Sequence, residues 1–204
     1  MFNIKSFIMK TNIIKALVFA LVTINFGYAQ NKSEIRVYYN VLNQGGFFNQ
    51  GEGGPNYKIK NPAEFGVKYL YNISNNFQIE TGVNYFNSEV IKEHTLALIG
   101  GTIPPDEKVG DLKLISIPIY ANYTLWDYFF VNGGPSLDFQ LSKEEFSSQS
   151  GIGFQAGVGA KYPYKDFLFF VNPTVRMNAI VPFEKNSYYS LSGFTVQTGI
   201  GYKF

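Results

Sequence analysis

The sequence predicts an eight-stranded antiparallel up-and-down transmembrane β-barrel preceded by a signal peptide. Three observations lead there: a two-residue apolar period in eight runs, the placement of charge on one side of those runs, and connections that alternate long and short.

The leader comes first in the chain. Residues up to Lys15 carry three lysines (Lys5, Lys10, Lys15) and no acid, and Ala16 to Ile24 form a nine-residue apolar run. Gly27-Tyr28-Ala29 then places small residues at the −3 and −1 positions of a cleavage site, so the mature chain is expected to begin at Gln30. Met9 is an alternative start that leaves a more ordinary leader. The apolar run is too short for a bilayer core, which needs roughly 20 helical residues. The expected division is therefore 1–29 as signal peptide and 30–204 as barrel.

The eight runs follow in order. In the first, Ile35, Val37, Tyr39 and Val41 alternate with Glu34, Arg36, Tyr38 and Asn40. The second sets Phe65, Val67, Tyr69 and Tyr71 against Glu64, Gly66, Lys68 and Leu70, and the third sets Phe77, Ile79, Thr81, Val83 and Tyr85 against Gln78, Glu80, Gly82 and Asn84. Ile115, Ile117, Ile119, Ala121 and Tyr123 mark the fourth, and Phe129, Val131, Leu137 and Phe139 the fifth. The sixth is Ile152 to Tyr162 with glycines between its apolar residues, and the seventh has Phe167, Phe169, Val171, Val175 and Met177. Phe194, Val196, Thr198, Ile200, Tyr202 and Phe204 form the eighth.

Nine charged residues lie within the runs: Glu34, Arg36, Glu64, Lys68, Glu80, Asp138, Lys161, Arg176 and Lys203. All nine take the polar face; Lys113, two residues before the fourth run, has the apolar parity. A soluble barrel would turn the apolar face inward, so alternation alone does not orient the wall. The connections do. Their expected spans are 43–61, 72–76, 87–111, 124–128, 140–150, 163–166 and 180–191, with the short ones all at one end, as in an outer-membrane barrel with periplasmic termini. Large aromatics (Tyr69, Tyr71, Phe77, Tyr123, Phe129, Tyr162, Phe167, Phe169, Tyr202, Phe204) crowd the short-turn end as an interfacial girdle, with Tyr85, Phe139, Phe154 and Phe194 as the opposite ring. The expected location is the bacterial outer membrane, with lipid as the surrounding partner. The eighth run, Phe194 to Phe204, resembles the signal read by the barrel-assembly machinery, which is the expected partner in biogenesis.

Leu114-Ile115-Ser116-Ile117-Pro118-Ile119, Gly133-Gly134-Pro135 and Gly201-Tyr202-Lys203-Phe204 together resemble the PorT-like outer-membrane β-barrel domain family over residues 30–204. The family often carries an acid where this chain has Ser116, so any role of that acid does not transfer. Pro118, Pro135 and Pro173 remove ladder donors, and local bulges are expected at them.

Composition excludes several functions. Cysteine is absent, which removes disulfides, thiolate metal sites and a lipoprotein anchor. Without the leader lysines the 17 basic residues become 14 against 15 acids, about −1 overall, which argues against nucleic acid as a partner. His94, near Ser88, Glu89, Glu93, Asp106 and Asp111, is the single histidine and reads as a solvated loop residue rather than the base of a lipid-modifying enzyme. Gly51-Glu52-Gly53-Gly54 lacks the strand-to-helix setting of a phosphate loop. Glu144-Glu145 and Asp106-Glu107 offer at most weak calcium sites. No catalytic, cofactor or metal residue is assigned.

Inside so narrow a barrel, side chains fill the lumen. Gly153, Gly157 and Gly159 are expected to receive Tyr128, Phe130, Leu168 and Phe170. The lumen charges singled out are Lys68, Glu80, Lys161 and Arg176. If the 72–76 turn pairs Tyr71 with Phe77, Lys68 and Glu80 are directly opposed and form an ion pair. The functional expectation is a non-enzymatic scaffold or loop-presenting barrel. A narrow transporter or secretion accessory is the alternative, and a lipid-modifying enzyme the second alternative.

Overall fold

A computed structural model describes residues 33–49, 56–93, 107–142, 147–184 and 189–204. The expected leader and cleavage site lie outside these residues, as do His94, Asp106, Gly51 to Gly54 and Glu144-Glu145. Eight antiparallel strands form a closed barrel in sequence order. They are β1 (Glu34–Asn49), β2 (Asn56–Asn72), β3 (Phe77–Glu93), β4 (Glu107–Leu125), β5 (Phe129–Gln140), β6 (Gly151–Tyr164), β7 (Phe167–Pro182) and β8 (Tyr189–Lys203). β1 closes on β8 along its whole length, from Glu34↔Lys203 to Asn49↔Tyr189. Closure pairs the ladder donors and acceptors all the way round, which a lipid environment demands of any spanning backbone.

The alternation resolves as expected. Ile35, Val37, Tyr39, Phe65, Val67, Val83, Ile119, Val131, Val158, Phe169, Val171, Val175 and Ile200 are exposed on the outer surface. Glu34, Arg36, Glu64, Lys68, Glu80, Asp138 and Lys161 are buried inside. A wall that is apolar outside and charged inside is stable only when the outside meets lipid. The girdle residues Tyr71, Tyr123, Phe129, Tyr162, Phe167, Phe169, Tyr202 and Phe204 all face outward near the short turns.

The strands run further at the long-loop end than the sequence suggests. β1 continues to Asn49, β2 starts at Asn56, β3 ends at Glu93 and β4 starts at Glu107. The cause is an inversion of the pattern. In these extensions Phe47, Phe86, Val90, Leu112, Leu114 and Leu191 point inward and form an apolar cluster, with Tyr57, Ile59, Val109 and Tyr189 packed against it. Lys58, Lys60, Lys108 and Lys113 face outward. An apolar interior and a charged exterior are what a barrel needs once it leaves the bilayer for water.

The bulges do not fall at Pro118, Pro135 or Pro173, although the shift at Lys60/Ala63 does contain a proline, Pro62. Register continues unshifted through Pro118↔Ser136, Pro135↔Phe154 and Pro173↔Val196. Beside Pro118 the β3–β4 pairing simply lapses between Thr81↔Ile119 and Asn84↔Ser116 and resumes in the same register. One missing donor interrupts the ladder without requiring an extra residue. The register shifts lie at Asn40/Leu42, Lys60/Ala63, Val90/Ile91 and Ile152/Phe154. Two of them hold a residue in the left-handed region, Asn61 (φ 50°) in β2 and Ala179 (φ 48°) in β7. Extra residues of this kind bend a strand and tighten its twist.

Candidate functional site: the charged lumen

The lumen is stacked in layers. Nearest the short turns, Phe130, Leu168, Phe170 and Tyr38 form a small apolar cluster. The Arg36 guanidinium lies over two of these rings, 4.9 Å from the Phe130 centroid and 5.1 Å from that of Phe170. Glu34 pairs with Arg36 on the same strand. Gly159 makes room for the Phe130 ring, since a Cβ there would meet it. Gly153 and Gly157 do not receive aromatics. Their nearest side chains are Asp138 and Ser136 for the first, and Thr174, Asn132 and Asn172 for the second. Tyr128 sits in the 126–128 turn, exposed, so only Phe130, Leu168 and Phe170 of the expected group fill the interior.

The middle layer holds the ion pair. Lys68 Nζ lies 2.7 Å from Glu80 Oε1, and neither side chain is more than 2% exposed. The register differs from the expected one: Lys68 opposes Gly82, and Glu80 opposes Leu70. Ile73 N–H donates to the Phe77 carbonyl at 2.9 Å, so the turn closes on Ile73 and Phe77 rather than on Tyr71 and Phe77. The slip is two residues. Because side chains repeat every two residues, both groups keep their inward face and pair on the diagonal.

That pair belongs to a closed circuit. Lys68 donates to Gln197 Oε1 at 2.8 Å. Asn172 Nδ2 donates to Gln197 Oε1 at 3.4 Å and to Asn132 Oδ1 at 3.3 Å. Asn132 Nδ2 donates to Glu80 Oε2 at 3.3 Å, and Asn122 Nδ2 joins it at 3.0 Å. Five side chains from β2, β8, β7, β5 and β3 thus return the path to Lys68. The ring is not fully satisfied, since Asn122 Oδ1, Asn172 Oδ1 and Gln197 Nε2 are buried without a partner, and breaking any member would strand further polar atoms.

Further out, Arg176 of β7 pairs with Glu64 of β2 across the lumen. Tyr38 donates to the same carboxylate at 3.1 Å, and the Phe86 ring lies 4.6 Å from the guanidinium carbon. Asp138 accepts from Ser136 and Asn178, both at 3.0 Å. Ser116 stands directly across the ladder from Asp138. A carboxylate at 116 would therefore oppose the Asp138 carboxylate on β5. Lys161 donates to Thr124 Oγ1 at 2.8 Å near the short turns.

Above these layers the apolar cluster closes the long-loop end. Gln149 is fully buried over it, donating to the Tyr189 carbonyl at 2.7 Å and accepting from Leu191 N–H at 2.8 Å. A cavity of ≈ 10 Å³ lies between Glu64, Asn84, Tyr120, Ser136, Arg176 and Asn178. That is about the room one water molecule needs.

Of the loop acids and serine grouped around His94, Ser88 is buried and donates to the Lys60 carbonyl at 2.9 Å. Glu89 and Asp111 face outward around Lys108, at 3.3 and 2.8 Å. Those hydrogen bonds, Asp111 first, hold the Lys108 ammonium above its ordinary pKa, and the same contact holds Asp111 below the usual carboxylate value. No group of three or more metal-binding side chains occurs among the described residues. The amides Asn132, Asn172 and Gln197 were not singled out by sequence. Their signal is inward parity alone, shared with many other polar residues.

Wall and lumen together define a transmembrane barrel of the eight-stranded type with a packed interior. Solved structures share the fold. The outer membrane protein OprG from Pseudomonas aeruginosa matches with a TM-score of 0.54 at 16% identity, over 85% of this chain and 96% of that one. The outer membrane protein AlkL, determined in lipid bilayers, matches with a TM-score of 0.51 at 15% identity, over 87% of this chain and 92% of that one. No family model and no curated protein matches the sequence.

Proposed function

We propose that the protein is a sealed, non-enzymatic barrel of the bacterial outer membrane. It serves as a membrane scaffold or as a support that presents its long connections outside, with its termini on the periplasmic side. The observation that carries this reading is the filled lumen: among the described residues, paired charges, a closed hydrogen-bond circuit and an apolar cluster occupy the interior, beside a cavity of ≈ 10 Å³. The PorT-like resemblance belongs to the same proposal, supported by Leu114 to Ile119 in β4 and Gly133-Gly134-Pro135 in β5. A role in transport or secretion would need a wider path than these layers leave.

Purified barrel in planar bilayers is expected to give no steady conductance. Reproducible long-lived openings from monodisperse protein would put the transporter reading first.

Orientation has its own test, made clean by the absence of cysteine. Glu184→Cys, on the exposed residue after β7, should react with an impermeant maleimide on intact cells, whereas Asp166→Cys in a short turn should not. The reverse pattern would invert the barrel.

A further inference from the structure

Among the described residues, the outward face of β2, β3 and β4 at the long-loop end carries an ordered group of lysines. Three pairing rows build it. Lys58 and Lys108 flank Ile91 from either side, Lys60 and Asp111 flank Glu89, and Lys113 opposes Asn87. Strands in a sheet are about 4.8 Å apart, so Lys58 and Lys108 stand roughly 10 Å from each other across Ile91. Lys58, Lys60, Lys108 and Lys113 are all exposed. Glu89 and Asp111 both gather on Lys108, and four lysines against these two acids leave the face net positive.

The depth of this face is set by aromatics. Phe65 and Tyr85 pack on the outer surface with ring centroids 5.4 Å apart, and Tyr85 opposes Ile115. Lys113 is the next outward residue on β4 after Ile115, about 7 Å further along the strand. Aromatic rings mark the boundary of the hydrocarbon, so the first row of charge beyond them sits where lipid headgroups are. These lysines stand at the level where the water-facing exterior begins, beside the headgroups. Phosphates carried by lipid meet them directly, each basic side chain gaining from the negative surface.

We infer that the outward face of β2–β4 at the long-loop end binds the phosphates of a phosphorylated glycolipid of the lipid A type. Lys60 and Lys113 are the principal contacts. The inference rests on the outward orientation proposed for the long connections.

The test uses the full barrel in a non-ionic detergent, titrated with bis-phosphorylated lipid A and followed by native mass spectrometry. Lys60→Gln or Lys113→Gln should each weaken binding about fivefold, and the double variant on the order of 20-fold, as a surface charge near an anionic lipid implies. Lys60→Arg with Lys113→Arg should retain binding, which separates charge from packing. Lys165→Gln, in a short turn at the opposite end, should change nothing. Equal binding of dephosphorylated lipid A, or full retention by the double Gln variant, would overturn the inference. So would displacement of the lipid by equimolar inorganic phosphate. Binding in detergent does not depend on topology in the cell, so a failed labelling result at Glu184 would sink the orientation and leave this measurement intact.

Discussion

Lys68→Met alone should destabilise the barrel by roughly 3–5 kcal/mol, because it leaves the Glu80 carboxylate buried without its cation. Glu80→Leu should cost a similar amount by stranding the ammonium. Lys68 would keep only Gln197 Oε1 and the Tyr38 ring, whose centroid is 4.9 Å away. The double variant should lose much less than the sum, since it removes both charges and leaves amides to rearrange among themselves. Urea unfolding from detergent gives the cycle directly, with Trp126, the single tryptophan, as the fluorescent reporter. Strict additivity would show that the two charges do not interact in the folded barrel.

The second large effect separates two kinds of glycine. Gly159→Ala drives a Cβ into the Phe130 ring, which is fully buried against Leu168, Phe170 and Arg36. Overpacking of this sort costs about 1–3 kcal/mol. Adding Phe130→Leu should recover most of the loss, because the obstacle is a side chain. At Gly199 the nearest obstacle is the Val37 carbonyl on the neighbouring strand, with the Phe170 ring behind it. Gly199→Ala should therefore be at least as damaging, and Phe170→Leu should not rescue it. Stability measured in the same urea series decides both. Rescue at both glycines would mean that side-chain crowding alone governs the two sites.

The wall was legible in the sequence because lipid imposes one rule on every strand within the bilayer. Alternation read from Phe65 to Tyr71 or from Phe77 to Tyr85 names the outward face without knowledge of any neighbour. Beyond Tyr85 the rule reverses, and Phe86 and Val90 face inward while Glu89 faces water. The periodicity there is just as regular, but its sign has changed, so the outward apolar pattern stops while the strands continue. The Lys68–Glu80 contact was legible for a related reason: parity survives a register error of two residues, although direct opposition does not. The circuit through Gln197, Asn172 and Asn132 was not. Its members lie on strands far apart in the chain, and only the curvature of the closed wall brings their amides together. Tyr128 was misplaced because the β4–β5 turn occupies residues 126–128 with Trp126 and Asp127 in the left-handed region, at φ 47° and 63°.

The same circuit constrains the order in which the barrel can be built. Lys68 and Glu80 are brought together by the β2–β3 hairpin, but Gln197 reaches them only when the seam between β8 and β1 zips. Arg176 likewise finds Glu64 only from across the finished lumen. A partial sheet of five or six strands lying in lipid would hold Glu64, Asn132 and Asp138 facing hydrocarbon, each with an unmet demand for a partner. Such intermediates are strongly disfavoured inside the bilayer. Insertion and closure must therefore proceed together, and a strand leaving the seam reopens the whole polar interior at once. The folded wall should behave as one cooperative unit, with no stable half-open state from which a solute or lipid could slip sideways.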